Sequence, residues 1–89
     1  MQGTMKKTAD IHTYQGNYNV DNGAVMIPFT VIPEANHIFV SIEYAYSTYR
    51  FLNTTIAVSK NSTSWILYLR REGTVIYNEV VTLHIMTAD

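Results

Sequence analysis

The sequence predicts an all-β domain, an antiparallel six-stranded β-sandwich, from three observations. Val, Ile, Thr and the aromatic residues, which favour strands, outnumber the strong helix formers. No segment repeats its apolar residues with the period of an amphipathic helix, and turn signals recur about every 10 residues. Because such short segments leave no room for parallel crossovers, we expect antiparallel hairpins.

The chain is predicted to begin with an N-terminal arm over residues 1–20, followed by a single β-sandwich domain over residues 21–89. Met1 to Thr4 are interpreted as a remnant of cloning before a native start at Met5. The arm leads into Asn22-Gly23, a strong signal for a two-residue turn between extended segments.

Three strands are predicted in the first part of the domain. Residues 25–32 place apolar side chains on one face. Pro28 predicts that this strand lies at a sheet edge or contains a bulge, because proline has no N–H group to donate to a neighbouring strand. Residues 37–46 form the clearest alternating strand. A polar loop over residues 47–50 separates it from a third alternating strand, residues 52–59.

Two further strands are predicted in the second part, which with the short extended segments around Asn22-Gly23 makes five or six strands. Residues 64–71 alternate, and Trp65 is interpreted as a core residue rather than a sugar platform because it is in phase with two leucines. Residues 72–74 are expected to close a hairpin. Residues 75–86 are long for one strand, so a bulge or turn is expected at residues 78–79.

The composition restricts the possible partners. With 89 residues, a net charge of -1 and no Cys, the chain has neither a disulfide framework nor a thiolate zinc site, and nucleic acid is not an expected partner. No apolar run approaches the roughly 20 residues that span a bilayer, and residues 1–10 lack the apolar stretch of a signal peptide. We therefore expect no membrane insertion. Small size and low charge favour a homo-oligomer.

The sequence indicates neither an enzyme nor a cofactor. Catalysis needs a nucleophile with a base, a pair of carboxylates in unlike environments, or a metal. The three histidines are far apart in the sequence, and the seven carboxylates form no motif. His12 and His37 are interpreted as solvated residues.

The chain contains, in this order, an apolar strand with Phe29, a turn at Pro33, and a Thr63-Ser64-Trp65 step into a strand that carries Arg70. In this arrangement residues 20 to 87 resemble the H-type lectin domain and the C-terminal receptor-binding domains of bacteriophage tail fibres. The resemblance implies a homotrimeric sandwich with a sugar at the seam between subunits and Arg70 as the basic residue beside it. It also implies a place in the virion, as part of a tail fibre; otherwise the protein is expected to be soluble.

Six residues are candidates for ligand binding: Tyr46, Tyr49, Arg50, Tyr68, Arg70 and His84. The first three share a predicted loop, where a flat aromatic ring can stack on a sugar while a guanidinium group donates hydrogen bonds. His84 is expected to approach Tyr68 and Arg70 across a hairpin, in either a ligand site or a contact between subunits.

The sequence therefore favours a non-enzymatic module that binds a cell-surface glycan or another host receptor as a homotrimer. The alternative is a purely structural viral assembly protein, such as a capsid decoration or fibre-trimerising domain. In that case the outward apolar residues Phe39, Ile66 and Met86 are expected to form the interface. A third hypothesis is a small inhibitor of a host enzyme.

Overall fold

The computed structural model of the protein describes residues 11–89. In this range seven strands and a short 3₁₀ helix follow one another: β1 (His12–Val20), β2 (Ala24–Pro28), β3 (His37–Glu43), the 3₁₀ helix (Ser47–Phe51), β4 (Thr54–Lys60), β5 (Ser64–Arg71), β6 (Thr74–Val75) and β7 (Glu79–Ala88). They form two antiparallel sheets. Sheet A has the strand order β1-β7-β3, and sheet B has the order β2-β5-β4 with β6 paired to the end of β5.

The all-β, antiparallel prediction is confirmed, but the number of strands differs from the predicted six. The last predicted strand divides into β6 and β7, because Asn78 takes a left-handed backbone conformation with φ of 47°. This is the interruption that the sequence indicates at residues 78–79. Within residues 11–89 no helix is long and apolar enough to cross a membrane.

The core lies between the central strands of the two sheets. Alternate side chains of β5 and β7 meet there, each at most 3% exposed: Trp65, Leu67, Leu69, Val81, Leu83 and Ile85. Burial of each such side chain contributes roughly 1.5–3 kcal/mol. The indole Nε1 of Trp65 donates a hydrogen bond of 3.0 Å to the carbonyl oxygen of Ile32, and its ring meets Phe29 edge to face. The prediction that Trp65 is a core residue is confirmed.

The structure differs from the predicted N-terminal arm at residues 12–20, which form β1 and pair along their whole length with β7. The inward-facing positions of β1 include Tyr14, Gly16 and Tyr18, and the Asn and Gln side chains between them face outward. Because the inward residues are not strongly apolar, the sequence does not show the alternation of apolar and polar residues that marks a strand. Residues 1–10 of the arm lie outside the described residues, as do the interpretation of Met1 to Thr4 and the signal-peptide prediction.

Two other predicted strands are shorter than expected. β2 ends at Pro28, where the amides of Val31 and Ile32 donate to the Pro28 carbonyl oxygen at 2.9 and 3.1 Å. This turn returns Ile32 to the core. β2 is an edge strand of sheet B, as the proline predicts. β3 ends at Glu43, and the predicted polar loop contains the 3₁₀ helix.

Two tight turns place left-handed residues at the positions that the sequence predicts. Asn22 and Gly23 have φ of 56° and 80°, and Glu72 and Gly73 have φ of 52° and 75°. Positive φ at both central residues defines the two-residue turn that matches the twist of antiparallel strands. Gly23 also donates to the Ile76 carbonyl oxygen and accepts from the Leu69 amide, both at 2.7 Å.

The two glycines make a matched pair for substitution. A Cβ atom at Gly23 would lie 2.7 Å from Cγ1 of Val75, whereas a Cβ atom at Gly73 would meet nothing within 4 Å. We expect Gly73→Ala to lower the free energy of unfolding by about 1–2 kcal/mol through backbone strain alone. Gly23→Ala should lower it further, because Val75 must also move. Denaturant unfolding of both variants measures the difference, and equal losses would contradict the close contact.

Candidate recognition face

The structure distributes the six predicted site residues over three places. The tyrosines and the arginine of the predicted loop lie at the 3₁₀ helix, Tyr68 and Arg70 lie on the outer face of sheet B, and His84 lies on the outer face of sheet A. The prediction that His84 approaches Tyr68 and Arg70 is wrong. The strands β5 and β7 belong to different sheets, and these side chains point away from the shared core.

Two rows of polar side chains cross the outer face of sheet A. The strand register aligns one row as Gln15, His84 and Ser41 and the next as Asn17, Thr82 and Glu43. We call these six residues the polar rows. Nε2 of His84 lies 2.9 Å from Oε1 of Glu43, and Oγ1 of Thr82 donates to Oδ1 of Asn17 at 2.7 Å. The ladder and these contacts hold the polar groups at fixed spacing.

An apolar row borders the polar rows on one side. Phe39 is 56% exposed and lies directly across from Met86, which in turn faces Thr13. A shallow groove of about 300 Å³ runs from these side chains to Ser41 and His84. A flat aromatic surface therefore adjoins a set of hydrogen-bonding groups. We call the polar rows together with Phe39, Met86 and Thr13 the recognition face.

Glu43 connects the recognition face to the loop that follows β3. One hollow of about 270 Å³ is lined by Glu43, Tyr44, Thr82 and neighbouring side chains. Another of about 300 Å³ is lined by Ile42, Glu43, Tyr44 and Arg50. Of the three predicted loop residues, Arg50 is thus the one whose side chain borders a hollow shared with the recognition face.

The loop itself is held by a cluster of aromatic rings around an arginine. Tyr49 packs edge to face against Tyr44 and Tyr46, with ring centroids 5.6 and 5.7 Å apart. The guanidinium carbon of Arg71 lies 3.9 Å from the centroid of the Tyr49 ring. Both terminal nitrogens of Arg71 donate to Glu79 at 3.0 Å. The loop is therefore fixed to the end of β5 and the start of β7.

Arg71 and Glu79 are absent from the site predicted from sequence. Their contact is mostly shielded from solvent, with 18% and 22% of the two side chains exposed. The hydrogen bonds to Glu79 raise the pKa of Arg71, so the guanidinium stays charged. One signal in the sequence could have identified Arg71. This residue lies two positions after Leu69, so its side chain lies on the same inward-facing side of the strand as Trp65 and Leu67.

The residues that carry the resemblance to H-type lectins occupy different environments from one another. Trp65 is buried, and its Nε1 donates to a backbone carbonyl, so the ring cannot serve as a sugar platform. Arg70 lies exposed on sheet B, where Nη1 donates to the carbonyl oxygen of Gly73 at 3.3 Å. His84 faces the opposite surface. Comparisons with protein-family models, curated proteins and solved structures found no match.

The chemistry of the recognition face is that of hydrogen bonding beside an apolar ring. It offers amide, hydroxyl, imidazole and carboxylate groups, and its ionisable residues His84 and Glu43 contact each other. Among the residues that the structure describes, no three His, Asp or Glu side chains converge as metal ligands.

The neighbouring arginines Arg70 and Arg71 allow a test of the loop cluster. Lysine at position 71 keeps the charge but loses the planar fork that bonds Glu79 and stacks on Tyr49. We expect Arg71→Lys to lower the free energy of unfolding by about 1–3 kcal/mol and to change the near-ultraviolet circular dichroism of the tyrosines. Arg70→Lys, at an exposed position, should change stability by less than about 0.5 kcal/mol. Equal effects would show that the cluster contributes nothing specific.

Proposed function

We propose that this domain is a non-enzymatic recognition module that binds a neutral glycan, such as those on cell surfaces, through the recognition face. One observation carries the proposal: the exposed ring of Phe39 adjoins two ordered rows of uncharged or mutually paired polar groups. This arrangement suits a ligand with an apolar face and several hydroxyl groups.

The chemistry of the polar rows favours a sugar over a charged ligand. Sugar hydroxyls both donate and accept hydrogen bonds, as do the amides of Gln15 and Asn17 and the hydroxyl of Ser41. The carboxylate of Glu43 lies 2.9 Å from Nε2 of His84, so one of its oxygens is already engaged within the face. The C–H face of a pyranose ring would stack on Phe39, as apolar groups stack on aromatic side chains.

The proposal keeps the functional class implied by the resemblance, a receptor-binding module of a phage tail fibre or a lectin-like protein. It assigns the binding site differently. The resemblance points to Arg70, whereas the recognition face contains His84 and lies on the other side of the molecule. Variants at the two positions therefore separate the two assignments.

Glycan-array screening followed by titration calorimetry tests the proposal. We expect Phe39→Ala and His84→Ala each to weaken binding about tenfold or more, equivalent to 1.4 kcal/mol. Met26→Ala is the matched control, because Met26 is 59% exposed on the outer face of sheet B. Arg70→Ala should likewise leave binding unchanged.

Three results would contradict this assignment. The folded protein could bind no glycan on the array. Arg70→Ala could abolish binding while His84→Ala preserves it, as the resemblance implies. Met26→Ala could weaken binding as much as Phe39→Ala, which would indicate nonspecific adhesion of exposed apolar side chains.

A purely structural assembly protein is the second candidate function. The outer face of sheet B favours it, since Met26 and Ile66 lie side by side there and Tyr68 is exposed on the same strand as Ile66. Ile66 lies on sheet B whereas Phe39 and Met86 lie on sheet A, so an interface that includes all three residues would involve both faces of the domain.

The assembly function has its own test. We expect Met26→Asp to prevent incorporation into a larger particle if sheet B forms the contact, because a buried unpaired carboxylate is costly. Phe39→Asp, with the same charge change on sheet A, should not prevent it. Cosedimentation of each variant with assembled particles measures incorporation, and equal incorporation of both variants would refute a contact through sheet B.

A further inference from the structure

One side of the two-layered fold, formed by β3 and β4, is incompletely closed. Among the described residues β3 pairs with β7 and with no other strand, so its second edge offers unpaired backbone groups. Its inward side chains Ile38, Val40 and Ile42 are only partly buried, whereas Leu83 and Ile85 on β7 are at most 1% exposed. The missing burial thus lies along a strand edge.

The edge of β3 is free of the features that usually block strand pairing. Natural edge strands are protected by proline, lysine, bulges or short length. β2 has five residues and ends at Pro28, and β4 ends at Lys60. β3 has seven residues without proline or lysine, and it pairs with β7 in an unbroken register.

The sequence of β3 is complementary to itself in the antiparallel direction. When two copies pair with Val40 opposite Val40, a residue a given number of positions before Val40 faces the residue the same number of positions after Val40 in the other copy. His37 then faces Glu43, and Ile38 faces Ile42. Each contact occurs twice, as a twofold axis requires.

The other edges lack this complementarity. Pairing of β4 with a second β4 about its central residue Ala57 would place Lys60 opposite Thr54. Pairing of β1 about Gly16 would place His12 opposite Val20. Among the strand edges in residues 11–89, β3 is the one that sets a basic group against an acidic group at both ends.

We infer that two copies of this chain associate through antiparallel pairing of their β3 strands about a twofold axis at Val40. The two copies of sheet A then form one continuous sheet with the strand order β1-β7-β3-β3-β7-β1. The axis is perpendicular to the sheet, so both outer faces lie on the same side. The partly exposed isoleucines of β3 gain apolar neighbours from the second copy. This association does not depend on glycan binding, and it favours two copies over the three that the resemblance implies.

Sedimentation equilibrium over a concentration series tests the inference. The native chain should show twice its mass of 10.2 kDa. His37→Glu places carboxylates opposite Glu43 at both ends of the interface and should raise the dissociation constant about tenfold. The matched control Asn19→Glu introduces the same carboxylate on β1 and should leave the dimer intact. The double variant His37→Glu/Glu43→Lys should recover the native dissociation constant.

Disulfide trapping tests the register without relying on a charge effect. The native chain contains no Cys, so the variant Phe39→Cys/Ser41→Cys presents thiols that face each other only across the proposed axis. Oxidation should give a covalent dimer. The equivalent pair around Gly16 on β1, Gln15→Cys/Asn17→Cys, should stay monomeric on a non-reducing gel. A monomeric or trimeric native mass would overturn the inference, as would a dimer insensitive to His37→Glu or trapping through β1 instead of β3.

Discussion

The apolar layer between β5 and β7 is the interaction on which the rest of the structure depends. The chain has no disulfide, so contact between the inward residues of these two strands must hold the sheets together. Every other strand pairs with β5 or β7. Trp65 fixes the layer at one end, because its indole hydrogen-bonds Ile32 and so brings the segment after β2 into the core. At the other end Arg71 continues the same inward phase and ties the loop to Glu79.

Because the core is built on two central strands, the surrounding strands lie at the sheet edges, where several of their inward side chains are only partly buried. In sheet A this affects β3, whose inward residues are all covered by sheet B only in part. The outer faces remain well ordered because the ladders fix their registers. The chain therefore combines rigid, charge-poor faces with an edge that still has apolar surface to bury. The proposed recognition and the proposed self-association both draw on this shortage of core.

The sequence predicts those features that depend on neighbouring residues along the chain. Asn22-Gly23 requires a left-handed turn, and the alternation around Trp65 identifies a buried strand; both predictions are confirmed. β1 was missed because its inward positions include Gly16 and tyrosines among polar residues. The six candidate site residues lie in three separate places, because the pairing that assigns each strand to sheet A or sheet B joins residues far apart in the sequence. No local pattern indicates that His84 meets Glu43, which lies 41 positions away in the sequence.

The proposed association changes the role of Phe39, because the ring belongs to both the recognition face and the paired edge. In the twofold arrangement Phe39 lies opposite Ser41 of the second copy, and the two Phe39 residues become diagonal neighbours with Cα atoms about 7–8 Å apart. Part of their exposed surface would then be covered by each other, and the polar row that ends at Ser41 would continue into the apolar row of the second copy, which begins at Phe39. Loss of Phe39 thus combines an effect on ligand contact with an effect on association. His84 lies on the central strand β7, away from the axis, so its loss affects the paired edge only through its contact with Glu43.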